Sequence, residues 1–204
     1  MENLIYWVGL VAVAVTALTG VLDAGRKNMD LVGVVVVGIT TALGGGTLRD
    51  LLLDRPVFWL SDQTYLVVAM ATTLLCFALV RNLRLPPRLF LIPDAIGLAL
   101  FTILGTQVAL QWQAPWLAAS VLGVMTGVFG GVLRDVLCND VPLIFMRGEL
   151  YATASLTGAL TLIGLQALEL SPVLAAWGGM TVVLVVRLLA IAFHITLPTY
   201  TARQ

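Results

Sequence analysis

Two arginine–aspartate pairs stand in an otherwise apolar chain, and each closes the same motif. Gly45-Gly46-Thr47-Leu48-Arg49-Asp50 recurs 85 positions later as Gly130-Gly131-Val132-Leu133-Arg134-Asp135. Ionisable groups inside apolar runs are costly and mark ion or substrate pathways. Adjacent glycines, Gly44 to Gly46 and Gly130-Gly131, weaken a helix by about 1 kcal/mol each relative to alanine and let it bend and free carbonyls. With the hydroxyls of Thr40, Thr41, Thr47 and Thr126, they outline a path rich in hydroxyl and carbonyl oxygen, which suits a cation. An arginine beside an aspartate also suits the carboxylate and ammonium of a small zwitterion. The plain alternative is topological, with Arg49 and Arg134 snorkelling to headgroups and Asp50 and Asp135 offsetting their charge.

Other polar residues say less. Asp94 follows Pro93 at the start of an apolar run, where an acid favours a helix N-terminus or lines a mouth. Arg187 lies near enough to a span end to snorkel, and His194 stands alone at an interface. Cys76 and Cys138 are isolated and read as packing residues. No ligand set has metal spacing, no Ser-His-Asp pattern occurs, and Gly44-Gly45-Gly46-Thr47 lacks the lysine of a phosphate loop, so neither an enzyme nor a bound cofactor is expected.

The elements that must carry these residues follow from composition. Of 204 residues, 60% are hydrophobic and 11% charged, with net charge zero and mean hydropathy +1.02. A soluble surface cannot be made from that mixture, and nothing basic suggests nucleic acid. Seven apolar runs suit a bilayer core about 30 Å thick: 4–22, 31–53, 64–80, 90–110, 116–138, 150–168 and 172–194. The first reads as a retained span, since Glu2 precedes it and no basic segment does. The expected fold class is an all-α polytopic membrane protein, one membrane domain over 1–204. It comprises repeat one at about 4–80, repeat two at about 90–168 and an extra helix at about 172–194.

The repeat aligns without a gap from Gly20/Gly105 to Leu52/Leu137; one inserted residue later Pro56 meets Pro142 and Tyr65 meets Tyr151. Three spans per copy is an odd number, so the second copy enters the membrane inverted. Arg26, Lys27, Arg81, Arg84, Arg88, Arg134, Arg147 and Arg203 fall on one side and only Arg49 and Arg55 on the other. The positive-inside rule then places the N-terminus outside and the C-terminus in the cytoplasm. On the second span as a helix, Gly38, Ala42 and Gly46 join Thr41, Gly45 and Arg49 in one face about 140° wide. Gly123, Gly127 and Gly131 with Thr126, Gly130 and Arg134 repeat it on the fifth. Such rows serve close helix packing or face a path. Gly45 falls about 22 Å into its span, with the Arg-Asp pairs near opposite mouths.

The stretch Met29-Asp30-Leu31 with Thr41 to Leu53, and Asp94-Ala95-Ile96-Gly97 with Gly130 to Leu137, Val141-Pro142-Leu143 and Leu150-Tyr151-Ala152, resemble the two halves of the bacterial membrane family known as the glycine-transporter domain. That family is similar to the trimeric intracellular cation (TRIC) channels. The resemblance implies seven helices, a homotrimer with a pore in each protomer, membrane-lipid surroundings and permeation by potassium or other monovalent cations. It implies that kinked second and fifth helices line the pore at their glycines. The Lys-Glu-Val motif of the animal channels has no counterpart here, so the chain resembles the prokaryotic members. Phe129 stands where a third glycine would complete the second motif, and Gly9 stands where Asp94 has its counterpart. The expected function is a potassium channel; the alternative is a glycine transporter.

Overall fold

The computed structural model describes residues 2–81, 83, 86, 89–146 and 150–196. Arg84, Arg88, Arg147 and Arg203, counted above for orientation, lie outside the described residues. The chain is all-helical: α1 (Glu2–Arg26), α2 (Leu31–Leu52), α3 (Phe58–Ser61), α4 (Thr64–Val80), α5 (Leu91–Gln111), α6 (Trp116–Leu137), α7 (Tyr151–Ala167) and α8 (Pro172–Phe193), with one 3-10 turn at Leu143–Phe145. Five helices, α1, α2, α5, α6 and α8, are long and apolar enough to cross a membrane by length and composition. The seven expected runs match the seven long helices within a few residues. The short α3 and the 3-10 turn were not expected; four- and three-residue elements leave no periodicity to read.

Helix ends are built by polar residues rather than glycine. Asp30 caps α2 by accepting from the Gly33 N–H at 2.7 Å. Ser171 caps α8 ahead of Pro172 in the first turn. Helix α2 is capped by Leu53, after which Asp54 turns left-handed (φ 49) and the Arg55 N–H donates to the Asp50 carbonyl at 3.0 Å. The end of α6 repeats this with Asn139 (φ 55) and the Asp140 N–H donating to the Asp135 carbonyl at 2.8 Å. Both are Schellman endings. Every glycine among the described residues instead lies inside a helix, and at several of them the missing side chain sets how close two helices come.

Helices α1, α2 and α4 pack as one group and α5, α6 and α7 as another; the groups meet along α1–α5 and α2–α6, and α8 covers α5 and α7. Gly20 of α1 meets Gly38 of α2, and Gly105 of α5 meets Gly123 of α6, so that an added Cβ on the first of each pair would lie 2.8 and 3.1 Å from the partner's Cα. At the α2–α6 crossing, a Cβ on Gly45 would collide with the Thr126 carbonyl and one on Gly130 with the Thr41 carbonyl. The contact is reciprocal, and its order (41 with 130, 45 with 126) shows that α2 and α6 run antiparallel there. Two apolar clusters flank this crossing, one around Val13, Ala42, Ala69 and Phe101 and one around Phe90, Leu98, Val128 and Tyr151.

Candidate functional site: two charged clusters and a central cavity

Both Arg-Asp pairs are buried, which sets the snorkelling reading aside. Arg49 Nε donates to Asp50 Oδ1 at 2.8 Å, and the other oxygen, Oδ2, accepts from the Phe58 N–H at 2.9 Å. Arg134 Nε donates to Asp135 Oδ1 at 2.8 Å, and Asp135 Oδ2 accepts from the Leu143 N–H at 2.9 Å. Each aspartate thus uses one oxygen for its arginine and the other to hold the start of the short element that follows. The pairing keeps the 85-residue offset through Phe58/Leu143, so the extra residue of the second copy lies beyond these positions rather than before Pro56/Pro142. That register follows from the backbone bonds, which the sequence alignment could not weigh.

Beyond that shared plan the clusters differ. Arg134 is fully buried and has three carboxylates around it: Asp94 Oδ1 at 2.6 Å from Nη1, Asp135, and Asp23 Oδ2 at 3.5 Å from Nε. Asp23 also holds Arg26 at 2.9 Å, and the Phe90 ring lies under both guanidiniums, 5.0 Å from Arg134 and 5.3 Å from Arg26. Around Arg49 the balance reverses. Asp50 is its carboxylate partner and also faces Arg55 at 3.6 Å. The positions equivalent to Asp94 and Asp23 are Gly9 and Val108. Arg55 rests on Trp112, 4.6 Å from the ring centre. A cavity of about 190 Å³ opens here, bordered by Gly46, Arg49, Arg55, Phe58, Tyr65 and Phe101 among others.

Between the clusters lies a second, far smaller cavity of about 10 Å³, bordered by Thr16, Thr19, Thr41, Gly45, Asp94, Leu98, Phe101, Thr126, Gly127, Gly130, Gly131 and Tyr151. Of the residues singled out in the sequence, Thr41, Gly45, Asp94, Thr126, Gly130 and Gly131 therefore meet at one place. Gly46 and Arg49 border the larger cavity, and Phe101 borders both. Asp50, Arg134 and Asp135 belong to the flanking ion pairs. Gly44 and Thr47 stand apart: a Cβ on Gly44 would strike Leu133, and the Thr47 hydroxyl accepts from Trp59 Nε1 at 2.9 Å.

Two expectations change with the coordinates. Helices α2 and α6 continue unbroken through their glycines, which act as contact points instead of releasing carbonyls. Arg187 does not snorkel; it is fully buried, 4.9 Å over the Tyr151 ring. Asp23, Tyr65, Tyr151, Thr16 and Thr19 were not picked out. The Tyr65/Tyr151 match was a usable signal, since each hydroxyl sits against a helical glycine beside its cluster: a Cβ on Gly9 would lie 3.1 Å from the Tyr65 hydroxyl, and one on Gly131 2.9 Å from that of Tyr151. Asp23 had none, because it reads as the first residue of a loop.

The family model described as Glycine transporter matches residues 6–81 and 91–167, two stretches that begin 85 positions apart. The UPF0126 inner membrane protein YadS of Escherichia coli K12 is 46% identical over 200 residues, covering 97% of this chain and 96% of that protein. A UPF0126 membrane protein of Vibrio cholerae is 43% identical, over 97% and 83%. Among solved structures, that of the TRIC trimeric intracellular cation channel orthologue from Rhodobacter sphaeroides superposes with a TM-score of 0.90 at 34% identity, over 95% of this chain and all of that one. A prokaryotic TRIC channel in 0.5 M KCl gives 0.87 at 26% identity, over 97% and 100%.

Proposed function

The chain belongs to the glycine-transporter family of membrane proteins, in which prokaryotic TRIC channels fall, and from that premise we propose that it is a monovalent cation channel, conducting potassium through each protomer. The observation that supports this most is the row formed by the larger cavity, Phe101 and the small central cavity. It runs between α1, α2, α5 and α6 with the two charged clusters beside it. The path is lined by the α2 and α6 faces that carry Thr41, Gly45, Thr126 and Gly130, and the cavity at Phe101 narrows to about one water.

The protein is a multi-pass protein of the inner membrane, with seven spans, N-terminus outside and C-terminus cytoplasmic. Helices α1, α2 and α4 form one three-helix repeat, α5, α6 and α7 its inverted copy, and α8 stands outside the repeat. The reciprocal antiparallel contact of α2 with α6 and the equivalent bonds at Asp50 and Asp135 support that arrangement. Three copies assemble, each with its own path. The small zwitterion carrier is the competing reading, favoured by Arg55 at the edge of the larger cavity, where it meets Asp50 only at 3.6 Å.

Reconstitution decides between them. Purified protein in planar bilayers is expected to give unitary potassium currents, and proteoliposomes no saturable glycine uptake. Saturable uptake that depends on a counter-ion, with no unitary currents, would sink the channel.

A further inference from the structure

The small central cavity contains an acid with an unused oxygen. Asp94 is buried, and its Oδ1 takes Arg134 at 2.6 Å; the Tyr151 hydroxyl also interacts with this carboxyl, yet Oδ2 makes no hydrogen bond of good geometry among the described residues. A buried carboxylate oxygen without a partner is expensive, and a native structure has a reason for one. Arg134 cannot supply the missing charge, because it is shared with Asp135 and Asp23. Among the described residues, Arg26 forms its ion pair with Asp23.

The hydroxyls around the same cavity are biased the same way. Thr16, Thr19, Thr41 and Thr126 each donate their proton to a carbonyl of their own helix, to Ala12 at 2.7 Å, Thr16 at 2.7 Å, Val37 at 2.6 Å and Leu122 at 2.6 Å. A hydroxyl whose proton is committed can only accept. Besides the Tyr151 hydroxyl, which can donate to Asp94, the cavity walls offer acceptors: a carboxylate oxygen and threonine oxygens from α1, α2, α5 and α6. Its volume of about 10 Å³ is near the least that holds one water-sized body. Replacing an ion's hydration by fixed oxygens is how filters select.

We propose that this cavity is a coordination site for one dehydrated monovalent cation of potassium or rubidium size, held by Asp94 Oδ2 and threonine hydroxyl oxygens. The site gives the channel its cation preference, and in that purpose it rests on the channel reading. Its geometry does not. Gly9 at the equivalent place in the first half leaves the site single rather than doubled.

Rubidium is the probe. The melting temperature of the purified wild type is expected to rise saturably with RbCl against N-methylglucamine chloride at equal ionic strength, as binding to the folded state requires. Anomalous diffraction from crystals in RbCl should show one peak in this cavity. Asp94→Asn should remove the peak and weaken apparent affinity by about tenfold or more, one lost charge being worth at least that. If Asp94→Asn does not fold, the Thr41→Val/Thr126→Val double variant keeps the Asp94–Arg134 pair and should also weaken the rubidium response. No peak in the wild type, or a melting shift unchanged in these variants, overturns the site. Unitary currents without a peak would reject the site and leave the channel reading standing. A peak that Asp94→Asn removes, in a protein without currents, would keep the site and reject the channel.

Discussion

Arg49 and Arg134 occupy equivalent positions and keep different company. Arg134 sits among Asp23, Asp94 and Asp135, so Arg134→Ala would leave three buried carboxylates facing one another; removing one partner of a buried pair costs about 3–5 kcal/mol. Arg49→Ala leaves Asp50 with the Phe58 N–H and Arg55 at 3.6 Å, a smaller loss. The expected outcome is a lower melting temperature and reduced yield for Arg134→Ala, and a well-folded Arg49→Ala whose potassium flux is changed. Equal melting temperatures for the two variants, read by thermal unfolding in one detergent, would contradict this. The exposed pair Lys27–Asp140 at 2.7 Å is a control: its double alanine variant should shift stability by about 1 kcal/mol or less. At this scale the sequence was legible where residue types repeated. The paired motif, Thr41, Thr126 and Asp94 could be found because each has a partner or an unusual place. The company of Arg134 could not, because Asp23 comes from 111 residues earlier and Asp94 from a different helix.

Among the helices, the crossing of α2 and α6 turns on two glycines whose added methyl groups would meet backbone carbonyls, which cannot rotate away. Gly45→Ala and Gly130→Ala should each destabilise by about 1–3 kcal/mol and widen or twist the crossing. Gly164→Ala in α7, where nothing lies within 4 Å of the new carbon, should instead be neutral or stabilise by about 0.4–1 kcal/mol. Thermal unfolding of the three variants checks the contrast. Of the two readings of the glycine rows, close packing agrees with the contacts at Gly38, Gly46 and Gly123, and the seven runs fell within a few residues of the helices, because apolar length and helical spacing are both visible in a sequence. The expected release of carbonyls failed for a physical reason. Several glycines in a row permit a break, but two flanking helices pressed against the backbone keep it helical.

Across the whole molecule, the proposed topology places Ser61 and Ser171 outside and Asn28 inside; all three are exposed. Single cysteines at these sites, introduced in place of each residue with Cys76 and Cys138 replaced, should react with a membrane-impermeant maleimide on intact spheroplasts only at 61 and 171. Labelling at 28 would invert the orientation. Three copies should be retained by native mass spectrometry from nanodiscs, and a monomer there would remove the trimer. Composition points to the bilayer and the recurring motif to two related halves, whereas the proposed assembly has no mark on the one chain beyond apolar faces that lipid would cover equally well.

The α2–α6 crossing reads the same from either end, since each helix offers the other one glycine and one threonine carbonyl. That contact by itself gives an ion no cue to direction; Asp94, which borders the cavity from one half, does. The approaches differ: two arginines to one aspartate on the Arg49 flank, three aspartates to two arginines on the Arg134 flank. Entry from the two solutions therefore climbs unequal electrostatic slopes, and current through this protein should rectify in symmetric salt, with the asymmetry shrinking as ionic strength rises and screens the ends.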